Sequence, residues 1–186
     1  MSERAYAPGV EHVQLFRQLF NPNPALSPGA FRSSGNRPLH LRMKLPEKGP
    51  LLPPPVLAGP GQQTAAAVQS WPGIVAATHW DLFDRTRVDG ADFYVGEAEL
   101  GHIHLNGDVH LATTPVLGLP LLAQGLARPF PYGGGPGDWV TFPIRTAADA
   151  AHASWLFRLN YDRLQGATPA ELTERLRTYP SLSSPV

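Results

Sequence analysis

The densest chemistry in the chain lies between Glu99 and His110. The order is Glu99-Leu100-Gly101-His102-Ile103-His104-Leu105-Asn106-Gly107-Asp108-Val109-His110, three of the seven histidines within nine residues. Imidazole changes charge near neutral pH and can donate or accept through either nitrogen. Such a cluster suits proton transfer, metal ligation or the grip on a polar ligand. A neighbouring carboxylate such as Glu99 can fix the orientation of one ring by hydrogen bonding.

A β-hairpin must position these side chains. Gly101 to Leu105 alternates small or apolar residues with polar ones, and Val109 and Leu111 resume the alternation. Asn106-Gly107 is the dipeptide best suited to a two-residue turn. In that register Leu105 pairs with Asp108, His104 with Val109 and Ile103 with His110. Residues two apart on a strand share a face, as do direct cross-strand partners. His102 and His104 therefore project together, whereas His110 lies opposite. Glu99 falls on the His110 face unless a bulge at Gly101 re-aims it. A three-histidine metal site is divided in this register and returns only if the turn is longer by one residue. The two-residue turn also sets Val109 and Leu111 beside the histidine pair. The expectation is a His102/His104 pair lining a polar pocket, one as general base, with no bound metal. Gly96 followed by His102-x-His104 copies the opening of a cupin metal motif, but its later glutamate and histidine are absent; a metal-dependent cupin-like enzyme remains an alternative.

Composition narrows the class. The 186 residues suit one domain with an attached arm, and 15 basic residues balance 15 acidic ones. That balance argues against a nucleic-acid partner. The absence of cysteine removes disulfides, thiol catalysis and thiolate metal sites. No apolar run reaches membrane-spanning length, and the first residues lack a signal-peptide core. A cytoplasmic protein without membrane association is expected. No Gly-x-Ser-x-Gly motif supports a serine hydrolase.

Eleven of the 21 prolines fall within residues 1–60, including Pro53-Pro54-Pro55. Proline removes an amide donor, so this part reads as an arm that wraps the domain or a partner. Within it, Val10, Val13, Phe16, Leu19 and Phe20 give a short helical stripe over Gly9 to Phe20, a candidate homodimer contact, and Leu39 to Leu45 alternates like a strand. Residues 61–166 read as the α+β domain. A short helix covers Thr64 to Ser70, strands run from Ile74 to Phe83 and from Ala91 to Val95, and Asp89-Gly90 reads as a turn. Pro115 to Ala127 reads as helical, Tyr132 to Gly137 as a flexible loop and Trp139 to Phe142 as a strand. Thr146 caps a long helix to Leu164, with Trp155, Phe157 and Tyr161 as core, and Thr168-Pro169-Ala170-Glu171 starts a last helix within residues 167–186. The sum is an α+β fold: an antiparallel sheet with flanking helices, preceded by the proline-rich arm. His12, His40, His79 and His152 are scattered and read as surface or hydrogen-bonded histidines.

The segment from about Trp71 to Tyr161 resembles the luciferase domain family, which includes the fungal luciferases. The resemblance rests on Gly96-Glu97-Ala98-Glu99-Leu100-Gly101-His102-Ile103-His104, then Asp108 and His110, Gly125-Leu126-Ala127, Asp138-Trp139-Val140-Thr141-Phe142 and Leu156-Phe157-Arg158-Leu159-Asn160-Tyr161. It implies a small-molecule ligand. The fungal members oxidise a hydroxylated styryl-pyrone with molecular oxygen, without an organic cofactor, releasing carbon dioxide and light. Glu99, His102 and His104 would be the catalytic group. His110, Asp108, Trp139, Phe130 and Arg128 are the candidate substrate contacts. Phe130 stands where the family pattern has a histidine and Leu126 where it has an arginine. The implied activity is cofactor-independent oxygenation of a hydroxylated aromatic or pyrone-like compound; the alternative is a non-catalytic binding or interaction module.

Overall fold

Alternating strands and periodic helices assemble into one antiparallel sheet with helices on one side. The computed structural model describes residues 48–179. The elements are α1 (Gly59–Gln69), β1 (Ile74–Trp80), β2 (Val88–Val95), β3 (Ala98–His104), β4 (Asp108–Ala112), α2 (Pro115–Ala123), β5 (Arg128–Pro129), β6 (Trp139–Pro143), α3 (Ala147–Leu164) and α4 (Pro169–Thr178). The strand order is β1-β2-β3-β4-β6-β5, with every pair antiparallel, an α+β architecture. The expected helix over Gly9 to Phe20 and strand over Leu39 to Leu45 lie outside the described residues. Among the described residues no helix is long and apolar enough to cross a membrane.

The helices form where the sequence supplies their ends. Thr146 accepts from the Asp149 amide while the Asp149 side chain accepts from the Thr146 amide, a capping box that starts α3. Thr168 and Glu171 repeat the device at α4, with Pro169 in the first turn. Ala150, Ala153, Leu156, Phe157, Asn160 and Tyr161 lie at helical spacing on the buried face of α3. They meet Phe93, Leu100, Ile103, Val109 and Leu111 from the sheet, with Ala65 and Val68 from α1, in a single core. Asn160 Nδ2 donates to Leu100 O (2.8 Å) and Ala112 O (3.1 Å), and Arg163 Nε donates to Asn160 Oδ1 (2.7 Å). This buried amide is satisfied by the strands it packs on.

Two expectations about the sheet are corrected. Asp89-Gly90 is not a turn but part of β2, where Gly90 pairs with His79 on one side and His104 on the other. The hairpin turn is also longer by one residue than the two-residue reading. Gly101 pairs with Leu111, His102 with His110 and Ile103 with Val109. Core burial decides this register: Val109 and Leu111 are fully buried on the helix-covered face, and the shorter turn would have set them beside the histidines. The longer turn is held locally. The Gly107 amide donates to His104 O (2.9 Å), the Asp108 amide to Asn106 Oδ1 (2.8 Å) and the Ile144 amide to Gly107 O (2.8 Å).

The last described part of the arm lies along the outer edge of β1. The Thr78 amide donates to Leu52 O (2.8 Å), its hydroxyl to Pro53 O (2.7 Å), and Trp80 Nε1 to Pro50 O (2.9 Å). Proline residues that offer carbonyls and no amide suit such an edge. The same run carries Lys48 onto the sheet face that the helices leave open.

Candidate functional site: a carboxylate-held histidine cluster

The corrected register places His102, His104 and His110 on one face. Glu99 joins them because β3 bulges. Phe93 pairs with Gly101 and Tyr94 with Glu99, which leaves Leu100 as an extra residue, and Gly101 has φ 149°. The bulge expected as a condition for Glu99 is present. β1 adds His79, opposite Gly90, and β2 adds Asp89 and Asp92.

Each of three imidazoles is held through Nδ1 by its own carboxylate. His79 Nδ1 lies 2.8 Å from Asp92 Oδ1, His102 Nδ1 3.0 Å from Glu99 Oε1, and His104 Nδ1 2.7 Å from Asp89 Oδ2. A carboxylate oxygen accepts, so Nδ1 carries the hydrogen and Nε2 is left as an acceptor. His102 Nε2 and His104 Nε2 are both 3.0 Å from His110 Nδ1. His79 stacks on His102 with ring centroids 4.0 Å apart, and His104 stands edge-on to both.

Lys48 closes the inner end. Its Nζ donates to Glu99 Oε1 (2.5 Å) and lies 3.4 Å from Asp92 Oδ1. Asp92 also accepts from the Tyr94 hydroxyl (3.1 Å), whereas Glu99 Oε2 is buried with no hydrogen-bond partner among the described residues. Burial pulls the Lys48 pKa down, but Glu99 and Asp92 outweigh it and hold the ammonium protonated. The two carboxylates that share it separate. Burial raises both, yet Lys48 and His79 bring Asp92 below its usual value, and Glu99 stays raised. Burial and the neighbouring imidazoles push His102 well down and His110 down to about 3.

These shifts have a consequence for stability. His152, on α3 away from the cluster, is also shifted down by burial, with Nε2 donating to Leu126 O (2.7 Å) and Nδ1 2.8 Å from the Tyr179 hydroxyl. The unfolded chain binds protons at all three histidines from about pH 6.5 downward, while the folded chain resists. Stability is therefore expected to be full above about 6.5 and to fall as pH drops from there toward the depressed folded values. Urea midpoints measured across this range check it. His152→Gln should remove part of the decline, and an unchanged decline would show that His152 is not held neutral.

The other candidates divide. Phe130 stands edge-on to His110 (4.9 Å) and stacks on Trp139 (5.5 Å), and Trp139 also approaches His102 (5.8 Å). Tyr132 joins this aromatic wall against Phe130 and His110. Asp108 is committed to the hairpin tip, where Arg145 Nη2 donates to its Oδ1 (2.5 Å) and Asn106 Nδ2 to its Oδ2 (3.0 Å). Arg128 is exposed on the edge strand β5, opposite Thr141. His79, read as a surface or hydrogen-bonded histidine, is hydrogen-bonded to Asp92, and β1 also stacks it on His102. Lys48, Asp89 and Asp92 were not among the expected site residues.

The luciferase domain family matches residues 97–160, which contain Glu99, His102, His104 and His110. Lys48, His79, Asp89 and Asp92 precede the matched segment. No curated protein and no solved structure matches the chain. The hairpin, the bulge and the helix that backs them are thus the part of the chain that is similar to the luciferase domain family.

Proposed function

We propose that the protein oxygenates a small hydroxylated aromatic or pyrone-like compound, with His104 as the base and Asp89 as its orienting partner. One observation carries the reading: the His104–Asp89 pair is the outermost of the three imidazole–carboxylate pairs. The side chains are 17% and 31% exposed, against 8% and 5% for His102 and Glu99. A hydrogen bond of 2.7 Å to Asp89 leaves Nε2, which lies 3.0 Å from His110 Nδ1, as the accepting nitrogen and stabilises the imidazolium that forms on proton uptake. The aromatic wall beside His110 supports a flat, largely apolar ligand.

In this reading the base removes the enol or phenol proton and raises electron density on the adjacent ring carbon. That carbon bonds to molecular oxygen, giving it two electrons, and the peroxide formed takes the proton back. The net change is addition of one oxygen molecule to one substrate molecule. His102, held by Glu99, backs the base from the buried side.

Oxygen uptake with a panel of hydroxylated pyrones and phenols tests the proposal. His104→Ala is expected to lower kcat by about 10²–10⁴, the usual worth of a general base. Asp89→Asn should lose a smaller share of kcat with KM nearly unchanged. Ligand binding without any oxygen uptake would refute the activity. Uptake that survives His104→Ala would refute the base.

A further inference from the structure

The structure assigns a second capacity to the same sheet face: we infer that His79, His102 and His104 form a binding site for a divalent first-row transition metal ion. The three residues each offer one ligand nitrogen, and these lie within 4.8 Å of one another. Ligand nitrogens around a tetrahedral ion with bonds of about 2.0–2.1 Å stand about 3.4 Å apart. A modest contraction by side-chain rotation would close the group.

Three further observations point the same way. First, all three rings are held at Nδ1 by a carboxylate, the arrangement that orients a ligating imidazole and raises its basicity. Second, the cluster is rich in acceptors. His110 has one Nδ1 hydrogen and stands 3.0 Å from the Nε2 of both His102 and His104, so it can satisfy only one of them fully. Burial disfavours covering the remainder with an added proton, while a metal ion would meet several lone pairs at once. Third, a cation already fills the neighbouring group. Asp92, Glu99 and His102 also have metal-ligand spacing, but there the Lys48 ammonium lies against both carboxylates. Even so, Glu99 Oε2 is left without a partner among the described residues. Arg87 acts on Asp89 from the exposed side.

Imidazole donors select zinc, copper, iron or nickel over calcium and magnesium. With metal bound, His104 is a ligand and not a free base. Metal binding is measured without substrate, so this inference and the oxygenase proposal stand or fall separately.

The test uses the full chain without an affinity tag, stripped with chelator and titrated with zinc in a calorimeter; visible absorption with cobalt(II) reports the coordination number. One equivalent of zinc is expected, with micromolar or tighter affinity and four- or five-coordinate cobalt bands. His79→Ala and His102→Ala should weaken zinc binding about 100-fold, and Asp89→Asn about tenfold. His152→Gln should leave it unchanged. Circular dichroism checks that each variant folds; if His102→Ala does not, His79→Gln and Asp89→Asn carry the test from the less buried part of the cluster. Less than half an equivalent bound by the wild type would overturn the site. Binding that persists in the folded histidine variants would overturn it equally.

Discussion

Lys48→Met is expected to lower the free energy of unfolding by about 3–5 kcal/mol, the cost of stripping one partner from a buried ion pair. The lysine side chain is 16% exposed and those of Asp92 and Glu99 are 1% and 5%, so solvent does little to screen what remains. The loss is a large share of a total stability of about 5–15 kcal/mol. It does not arise from missing methylenes, because methionine keeps most of the stem. The same change in an Asp92→Asn, Glu99→Gln background should cost less than about 1 kcal/mol, since no charge is then stranded. The pH dependence has a definite sign. Glu99 already has a raised pKa, and removing the ammonium raises it further. A raised carboxyl favours the folded state at low pH and loses that contribution as pH rises through its folded value. The deficit of Lys48→Met should therefore be widest near neutral pH and narrow on acidification. Urea denaturation of the four variants across pH measures both effects.

Gly90→Ala is the second large expectation. A Cβ at Gly90 would lie 2.0 Å from Ile103 O and 2.8 Å from His104 Cα, atoms of the neighbouring strand that no rotamer can move. Accommodating it means parting β2 from β3 where Gly90 faces His104. Overpacking of this kind costs about 1–3 kcal/mol, with the upper end expected where backbone meets backbone. The strain falls on the cluster, because Asp89 precedes Gly90 and must keep its hydrogen bond to His104. Thermal denaturation should show the loss, and oxygen uptake and zinc affinity should fall with it. Gly61→Ala is the control. Its nearest neighbours, Ile103 Cγ2 and Leu57 Cβ, would be 3.9 Å from the new Cβ, so stability should stay within a few tenths of a kcal/mol or rise.

The sequence made local patterns legible and left long-range ones hidden. Both capping boxes, the core face of α3 and the hairpin strands follow from spacing within a few residues. The register did not, because a turn dipeptide and a buried apolar face gave opposing answers. Asn106-Gly107 suited a two-residue turn, but complete burial of Val109 and Leu111 outweighed it. Asp89-Gly90 misled for a related reason. The dipeptide that makes tight turns also supplies a strand with a residue lacking Cβ where two backbones nearly touch. His102, His104, His110 and Glu99 could be found by proximity along the chain. His79, Asp89, Asp92 and Lys48 could not, since β1, β2 and the arm bring them in from far away. A weak signal did exist for Asp92, a lone carboxylate in the otherwise apolar run Ala91-Asp92-Phe93-Tyr94-Val95. Such a charge demands a buried partner, and here it has three: His79, Tyr94 and Lys48.

Three carboxylates hold His79, His102 and His104 at Nδ1, with the three rings packed against one another. Long-range nitrogen-15 correlation spectra of chelator-treated protein with labelled histidine test this arrangement most directly. The expected result is a hydrogen on Nδ1 of all three rings, with His102 still neutral well below pH 6.5. Rings with their hydrogen on Nε2 and none on Nδ1, or a His102 that titrates near 6.5, would overturn it.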